Sequence, residues 1–273
     1  MPSKANELYY RAELAEVVRD LRAWARTVLL PAARAQLPGK VERDEDVPES
    51  VENVIVEKQR AFARTAPKAE ALSARVVLKN LRTVDERLAA SVRASMDISI
   101  EPFLLDTPRI RSTMGEKIVE NVNLIQSVPG QYFQGVTDAV AHNWKTGTNY
   151  ETLADAIEKV ADTTDTRAML IARDQTGKIS AAFNQIRQTD LGIKLYGWVC
   201  THMNTRPSHL AMESKDVGYG PGVFSWEKPG PLRGTIDGRP CHPGEDIQCH
   251  CGAIPHVNLE ELVDSLGYGG RRN

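Results

Sequence analysis

Cys249-His-Cys251 sets two thiols one residue apart, with His209 well upstream of them. All four cysteines (Cys200, Cys241, Cys249, Cys251) and five of the six histidines (His202, His209, His242, His250, His256) fall between Tyr196 and Val257. The preceding 195 residues hold no cysteine and a single histidine, His142. Zinc takes about four nitrogen or sulfur ligands in a tetrahedron, and thiolates with neutral imidazoles supply them. The residue types fit a structural zinc held by Cys200, His209, Cys249 and Cys251, with Cys241, His242 and Asp246 competing for the fourth place. Two alternatives stand beside this: packed thiols with no metal, and a disulfide, for which Cys200 and Cys241 are the easiest pair. A glycine-rich module with little core would gain from a metal staple.

Catalysis has less support from the same residues. A Cys/His nucleophile pair needs an environment that lowers the thiol pKa and a set of oxyanion donors. A catalytic zinc needs an open position and a base, for which Glu213, Glu245 and Asp246 are the candidates. The expectation is that the chain is not an enzyme. Gly218-Tyr-Gly-Pro-Gly222 has the composition of a phosphate loop but lacks its lysine, so it reads as turns. Tyr196, Trp198, Tyr219, Phe224 and Trp226 read as the module's own core, because a base-stacking site also needs a positive groove. Arg206, beside His209, is placed to pair with Asp246 or Glu245 and clip the two halves together.

The elements that must carry these residues are mostly helices. Leu14, Val17, Leu21, Trp24 and Val28 step by three and four, the apolar face of a helix expected to end near Pro31. Gly39 to Ser50 lacks periodicity and reads as a linker. Helical pattern returns over about 52–64, breaks near Pro67 and runs on from Lys68 to about Met96. Thr107-Pro108 is a capping pair that starts the next helix, with Ile110, Met114, Ile118, Val122 and Ile125 as its stripe. Pro129-Gly130 reads as a turn. A second helix carries Phe133, Val136, Val140 and Trp144 and stops at Gly147. Asn149 then caps a short helix with Leu153, Ile157 and Val160 inward. A last helix runs from about Asp165 to Thr189, with Ile171, Ile179, Phe183 and Ile186 inward.

Composition then changes. Six of the 19 glycines precede residue 191 and thirteen follow it. Tyr196–Thr201 fits a short strand, Arg206–Met212 one or two helical turns, Gly218–Gly244 turns and short strands, and Asn258–Leu266 a closing helix. The fold class expected is α+β: a long, mainly helical N-terminal region followed by a small Gly/Pro-rich module.

The bulk numbers fit this. The chain has 273 residues, is 41% hydrophobic and 26% charged, and carries a net charge of −2. Such a chain can bury a core, and it does not advertise a phosphate-binding surface. No apolar run approaches the roughly 18–20 residues that span a bilayer. Met1-Pro-Ser-Lys-Ala-Asn-Glu has no apolar signal core, so the expectation is a soluble chain made in a reducing cytoplasm.

An ordered set of segments carries a family resemblance. These are Asn121–Pro129, then Leu170-Ile-Ala-Arg-Asp-Gln175 with Lys178, then Gly192-Ile with Tyr196-Gly-Trp198, then Arg206-Pro-Ser-His209, then Pro243-Gly with Cys249-x-Cys251 and Pro255. In this order and spacing the chain resembles tailed-phage head morphogenesis proteins of the Mu F-like type, the minor head or minor capsid proteins, over roughly residues 105–257. The resemblance implies a structural virion protein, acting in head assembly at the portal vertex or head interior. Its implied partners are the portal and/or the major capsid protein, with packaged DNA a further contact and no membrane. Assembly would take place in the host cytoplasm, and DNA packaging or delivery is a further implied role. Some relatives have a second cysteine pair where this chain has Arg206 and His209, and those versions look like full zinc sites. On this reading the chain divides into a helical arm (1–104), the helical part of the Mu F-like domain (105–190), the Cys/His module (191–262) and a loose tail (263–273). The alternatives are a metal-dependent enzyme or toxin-like module, and a DNA-binding ejection protein.

Overall fold

The computed structural model describes residues 1–37, 46–64, 66–229 and 240–266, without the side chains of 66 and 67. Part of the expected 39–50 linker, part of the turn-rich 218–244 stretch and the tail beyond 266 lie outside the described residues.

Helix α1 spans Lys4–Trp24 and buries Leu14, Leu21 and Trp24 as the stripe requires. Pro31 does not end it. A π-helical turn over Ala25–Leu29 comes first, with the Leu30 N–H reaching back to the Ala25 carbonyl, and α2 (Leu30–Ala35) continues through the proline. The wide turn shifts the phase of the helix by about one residue, roughly 100°. Leu29 therefore points inward while the expected Val28 is 45% exposed.

Helices α3 (Glu49–Ala63) and α4 (Ala66–Met96) follow. Helix α5 starts at Pro108, where the Thr107 hydroxyl accepts the Ile110 N–H at 3.3 Å. It runs unbroken to Thr146, so Pro129-Gly130 is not a turn. A proline inside a helix costs about 3 kcal/mol. Tyr132, Phe133 and Val136, just beyond it, are all buried, and each contributes roughly 1.5–3 kcal/mol by leaving water. Packing outweighs the proline.

Gly147 closes α5 at φ +64°, and the Asn149 side chain caps α6 by accepting the Thr152 N–H at 2.9 Å. Helix α6 is one element, Tyr150–Asp190, where two had been expected. Within the polar run at its centre Thr163, Thr164 and Thr166 turn their hydroxyls back onto the carbonyls of Lys159, Val160 and Asp162, which satisfies them without breaking the helix.

Compactness divides the chain into two units. One gathers Tyr9–Ala74 and Val119–Ala172. It is a helical bundle around Leu21, Trp24, Leu29, Phe133, Trp144 and Ile157. The other gathers Met1–Leu8, Arg75–Ile118 and Arg173–Asn273. Its helical part closes over Leu88, Val92, Ile100, Leu191 and Leu262. There Arg187 donates to both oxygens of Asp85, at 2.7 and 2.9 Å, and to the Leu105 carbonyl at 2.6 Å.

The rest of this second unit is a three-stranded antiparallel sheet, β1 Leu195–Val199, β2 Val223–Ser225 and β3 Gly252–His256, with β1 in the middle. Between β1 and β2 lie α7 (Pro207–Leu210) and a 3-10 turn (Ala211–Glu213), and α8 (Leu259–Ser265) follows β3. Alternation along β1 turns Tyr196 and Trp198 inward, where they meet Met212, Phe224 and Trp226. Tyr219 is half-exposed and takes no part in that core, contrary to expectation, since it rides a turn between Gly218 and Gly220. The α+β class read from the sequence is the observed one.

Candidate metal centre

Three segments deliver the sulfur and imidazole groups to one place. The register of β1 and β3 pairs Val199 with Gly252, so the next step outward sets Cys200 opposite Cys251. Their sulfurs meet at 3.3 Å. Helix α7 is started by Pro207 and carries His209 on its buried side. The Pro243–Cys251 loop brings in Cys249 through two left-handed residues, Gly244 at φ +91° and Gln248 at φ +53°.

The loop is held against α6. At Gly177 a Cβ would fall 2.9 Å from the Cys249 carbonyl, and at Gly244 one would fall 2.7 Å from the Ala181 Cβ. At Gly177 the helix meets loop backbone at close range, and at Gly244 the positive φ and the Ala181 methyl group leave no place for a side chain. Asp174 accepts the N–H of the strained Gln248 at 2.6 Å and pairs with Lys178 at 2.8 Å. Arg173 donates to His250, which turns that imidazole away from the cysteines on either side. Asn184 and Gln188 donate to the Ala253 carbonyl on β3 at 2.6 and 3.2 Å. Arg173 and Asp174 of α6, the latter braced by Lys178, thus act as the seat of the cysteine loop. Gly177, Asn184 and Gln188 were not singled out in the sequence. An isolated glycine inside a helical run was the signal available.

Within the centre, His209 Nδ1 lies 3.4 Å from Cys249 Sγ and 3.6 Å from Cys251 Sγ. Ligand atoms of His209, Cys249 and Cys251 all lie within 4.8 Å of one another, and each of the three residues is buried. Cys200 joins through Cys251, while its thiol donates to the His209 carbonyl at 3.3 Å. Zinc–sulfur and zinc–nitrogen bonds of about 2.3 and 2.0–2.1 Å give tetrahedral edges near 3.5 Å for S···N and 3.8 Å for S···S. The observed S···N separations therefore fit a shared metal, whereas Cys200 Sγ stands outside that mutually close set, beside Cys251, and has to shift to become a fourth ligand.

The other ring nitrogen, His209 Nε2, faces Asp246 Oδ2 at 3.4 Å. Arg206 grips the same oxygen at 2.8 Å and the Ile247 carbonyl at 2.9 Å, the clip anticipated for this arginine. A carboxylate behind Nε2 favours the proton there and leaves the Nδ1 lone pair for the sulfur side.

Charge is uneven among the thiols. The Cys249 pKa is pulled down to about 4, first because the Cys251 thiol donates to it, with the Cys251 and Gly244 N–H groups adding. Cys251 moves up, since its proton is committed to Cys249 and it is buried. Burial also raises Cys200. The remaining candidates sit elsewhere. His242 Nδ1 contacts the Tyr196 hydroxyl at 2.9 Å, and Glu245 accepts the His242 N–H. Cys241 is packed in the aromatic core. Glu213 accepts the Cys200 N–H at 2.6 Å and pairs with His202. His142 and His256 are exposed. None of the four cysteines is in a disulfide, and the sulfur that Cys200 meets is that of Cys251.

Cys249, His209 and Asp246 also lie in nucleophile–base–carboxylate order. Their exposures are 5%, 1% and 7%, and two further thiols crowd the same space. A closed centre is the better description.

Residues 134–254 match the family model described as Phage Mu protein F like protein. That span includes the C-terminal part of α5, all of α6, and every residue of the centre. The chain is also 26% identical, over 96% of its length, to an uncharacterized protein of Haemophilus influenzae. It spans about half (55%) of that protein's length. No solved structure matches the chain.

Proposed function

We propose, from the Phage Mu protein F like sequence of residues 134–254, that the chain is a structural minor head protein of a tailed phage. Its place is the portal vertex or head interior, and its partners are the portal protein and/or the major capsid protein. The family match is the observation that carries this reading. Two features of the molecule support it. The Cys/His/Asp cluster is buried and built to be held, which suits a part with no substrate. Helix α5 also leaves apolar side chains uncovered, with Val119 62% exposed and Met114, Ile118 and Val122 only half-buried, and Leu105 just before it is 63% exposed. Such faces finish their burial on a partner subunit. Among the described residues no helix is long and apolar enough to cross a membrane, in keeping with a protein partner.

Co-expression with the portal and major capsid proteins of the same phage tests the reading. The expected result is co-purification with one of them through gel filtration, and presence in assembled heads. Heads that contain neither the chain nor a trace of it, with no association in solution, would overturn the proposal. Contact with packaged DNA is a finer part of the same reading. It predicts affinity that falls steeply as salt rises.

A further inference from the structure

We infer that Cys200, His209, Cys249 and Cys251 form a closed Cys3His zinc site that fastens β1, α7 and the loop before β3 to one another. The inference stands apart from the head-assembly reading, and either can fail without the other.

Three observations converge on it. His209 presents one nitrogen to two sulfurs at 3.4 and 3.6 Å, the edge lengths of a shared tetrahedron. Behind it, Asp246 faces the second nitrogen at 3.4 Å and is itself fixed by Arg206, the arrangement that orients a ligating imidazole. His209 Nε2 is shut away from solvent with nothing nearer than Asp246 Oδ2 at 3.4 Å, a cost that a firmly seated imidazole would relieve.

The fourth ligand follows from what each competitor already does. Asp246 lies on the far side of the imidazole and is held by Arg206. His242 is engaged by Tyr196, and Cys241 belongs to the aromatic cluster. Among the described contacts it is Cys200 that brings a further sulfur to the group, set there by the strand register. Its thiol has to leave the His209 carbonyl and lose its proton, as zinc binding requires of every thiol ligand. Three sulfurs and one nitrogen suit zinc among the divalent ions, and four protein ligands leave no position for water. The site is therefore structural.

The test is metal analysis of the purified chain after zinc loading and removal of excess, with competition by a chromophoric chelator. About one zinc per chain is expected, and cobalt in its place should give tetrahedral visible bands with thiolate-to-cobalt charge transfer. Asp246→Asn should weaken zinc by roughly 10- to 100-fold while keeping all four ligands. Cys200→Ser should weaken it further than that, and Cys241→Ser should leave it unchanged. Far-UV circular dichroism keeps these outcomes separate from unfolding, since most of the helix lies before residue 191. A chain that takes up no stoichiometric zinc with its helical signal intact overturns the site. Cys200→Ser binding zinc as tightly as the parent overturns the four-ligand assignment, and so does release of zinc by Cys241→Ser.

Discussion

The helical bundle unit and the Cys/His module solve the burial problem in opposite ways. The bundle unites a wide apolar set from α1, the π-turn, α2, α3, α5 and α6, from Leu21 and Trp24 through Val51 and Ile55 to Tyr132, Phe133, Trp144 and Ile157. No single contact defines it, and its stability is a sum of many similar terms. The module's core mixes a handful of aromatics with all four cysteines, and its loops are fixed by named polar joints. Asp174 holds Gln248, Arg206 holds Asp246, and Asn184 with Gln188 hold Ala253. The bundle should therefore weaken in proportion to the volume removed. The module should loosen at particular atoms.

The largest effect is expected in the bundle. Trp144 is 1% exposed, and Trp144→Ala should cost about 3–5 kcal/mol in urea unfolding followed by helical circular dichroism. A loss below about 1 kcal/mol would mean the bundle is not packed as described. Next comes the Arg187–Asp85 pair. Arg187 is 5% exposed and satisfies three acceptors, so Arg187→Ala should cost about 3 kcal/mol by the same measurement. Asp85→Asn together with Arg187→Ala should recover part of that loss, since no charge is then left without its partner.

How much of this could be read beforehand differs between the two regions for a physical reason. Apolar periodicity and caps are local, so α1, α5 and α6 were legible from their stripes and from Thr107-Pro108 and Asn149. The errors fell where tertiary packing overruled a local signal. Pro129 sits inside a helix because its neighbours are buried on both sides, and the π-turn before Pro31 moved Leu29 into the place expected for Val28. In the module the residue types named His209, Cys249 and Cys251, and the chain does bring them together. The link from Cys200 to Cys251 could not be singled out from its competitors. It depends on the pairing of strands that lie far apart in the chain, a non-local fact that no window of sequence contains.

Gly177→Val probes the module's way of failing. The added side chain meets the Cys249 carbonyl, so the loop must move off α6 at about 1–3 kcal/mol. The expected signature is faster alkylation of Cys249 and Cys251 by mass spectrometry with little change in helical content. Unchanged thiol protection would show that the glycine is not the seat of that loop.

Acid should weaken the module as well. Burial lowers the His242 pKa below its usual 6.5, so the folded chain binds fewer protons than the unfolded chain in the window beneath that value. Stability from this group is complete above 6.5 and is lost as pH falls through the window. Urea midpoints should therefore drop between pH 7 and pH 5, and His242→Phe should flatten that slope. An equal slope in both proteins would remove His242 from the account.

The smallest effect is expected where the bundle carries its charge. Arg22 pairs with Glu158 at 3.6 Å and Asp162 at 2.5 Å, yet its side chain is 30% exposed and that of Asp162 is 72% exposed. Solvent and salt screen such a pair, and holding three flexible side chains in one geometry offsets much of the attraction. Arg22→Ala should therefore cost less than about 1 kcal/mol, and less still at high salt. The Arg206 side chain is about as exposed, at 34%, but the carboxyl side chain of its partner Asp246 is 4% exposed and stands behind His209. Arg206→Ala should show its effect in zinc affinity and cysteine protection, and much less in helical stability. Equal behaviour of the two arginines in both measurements would erase the distinction between a bundle held by area and a module held by joints.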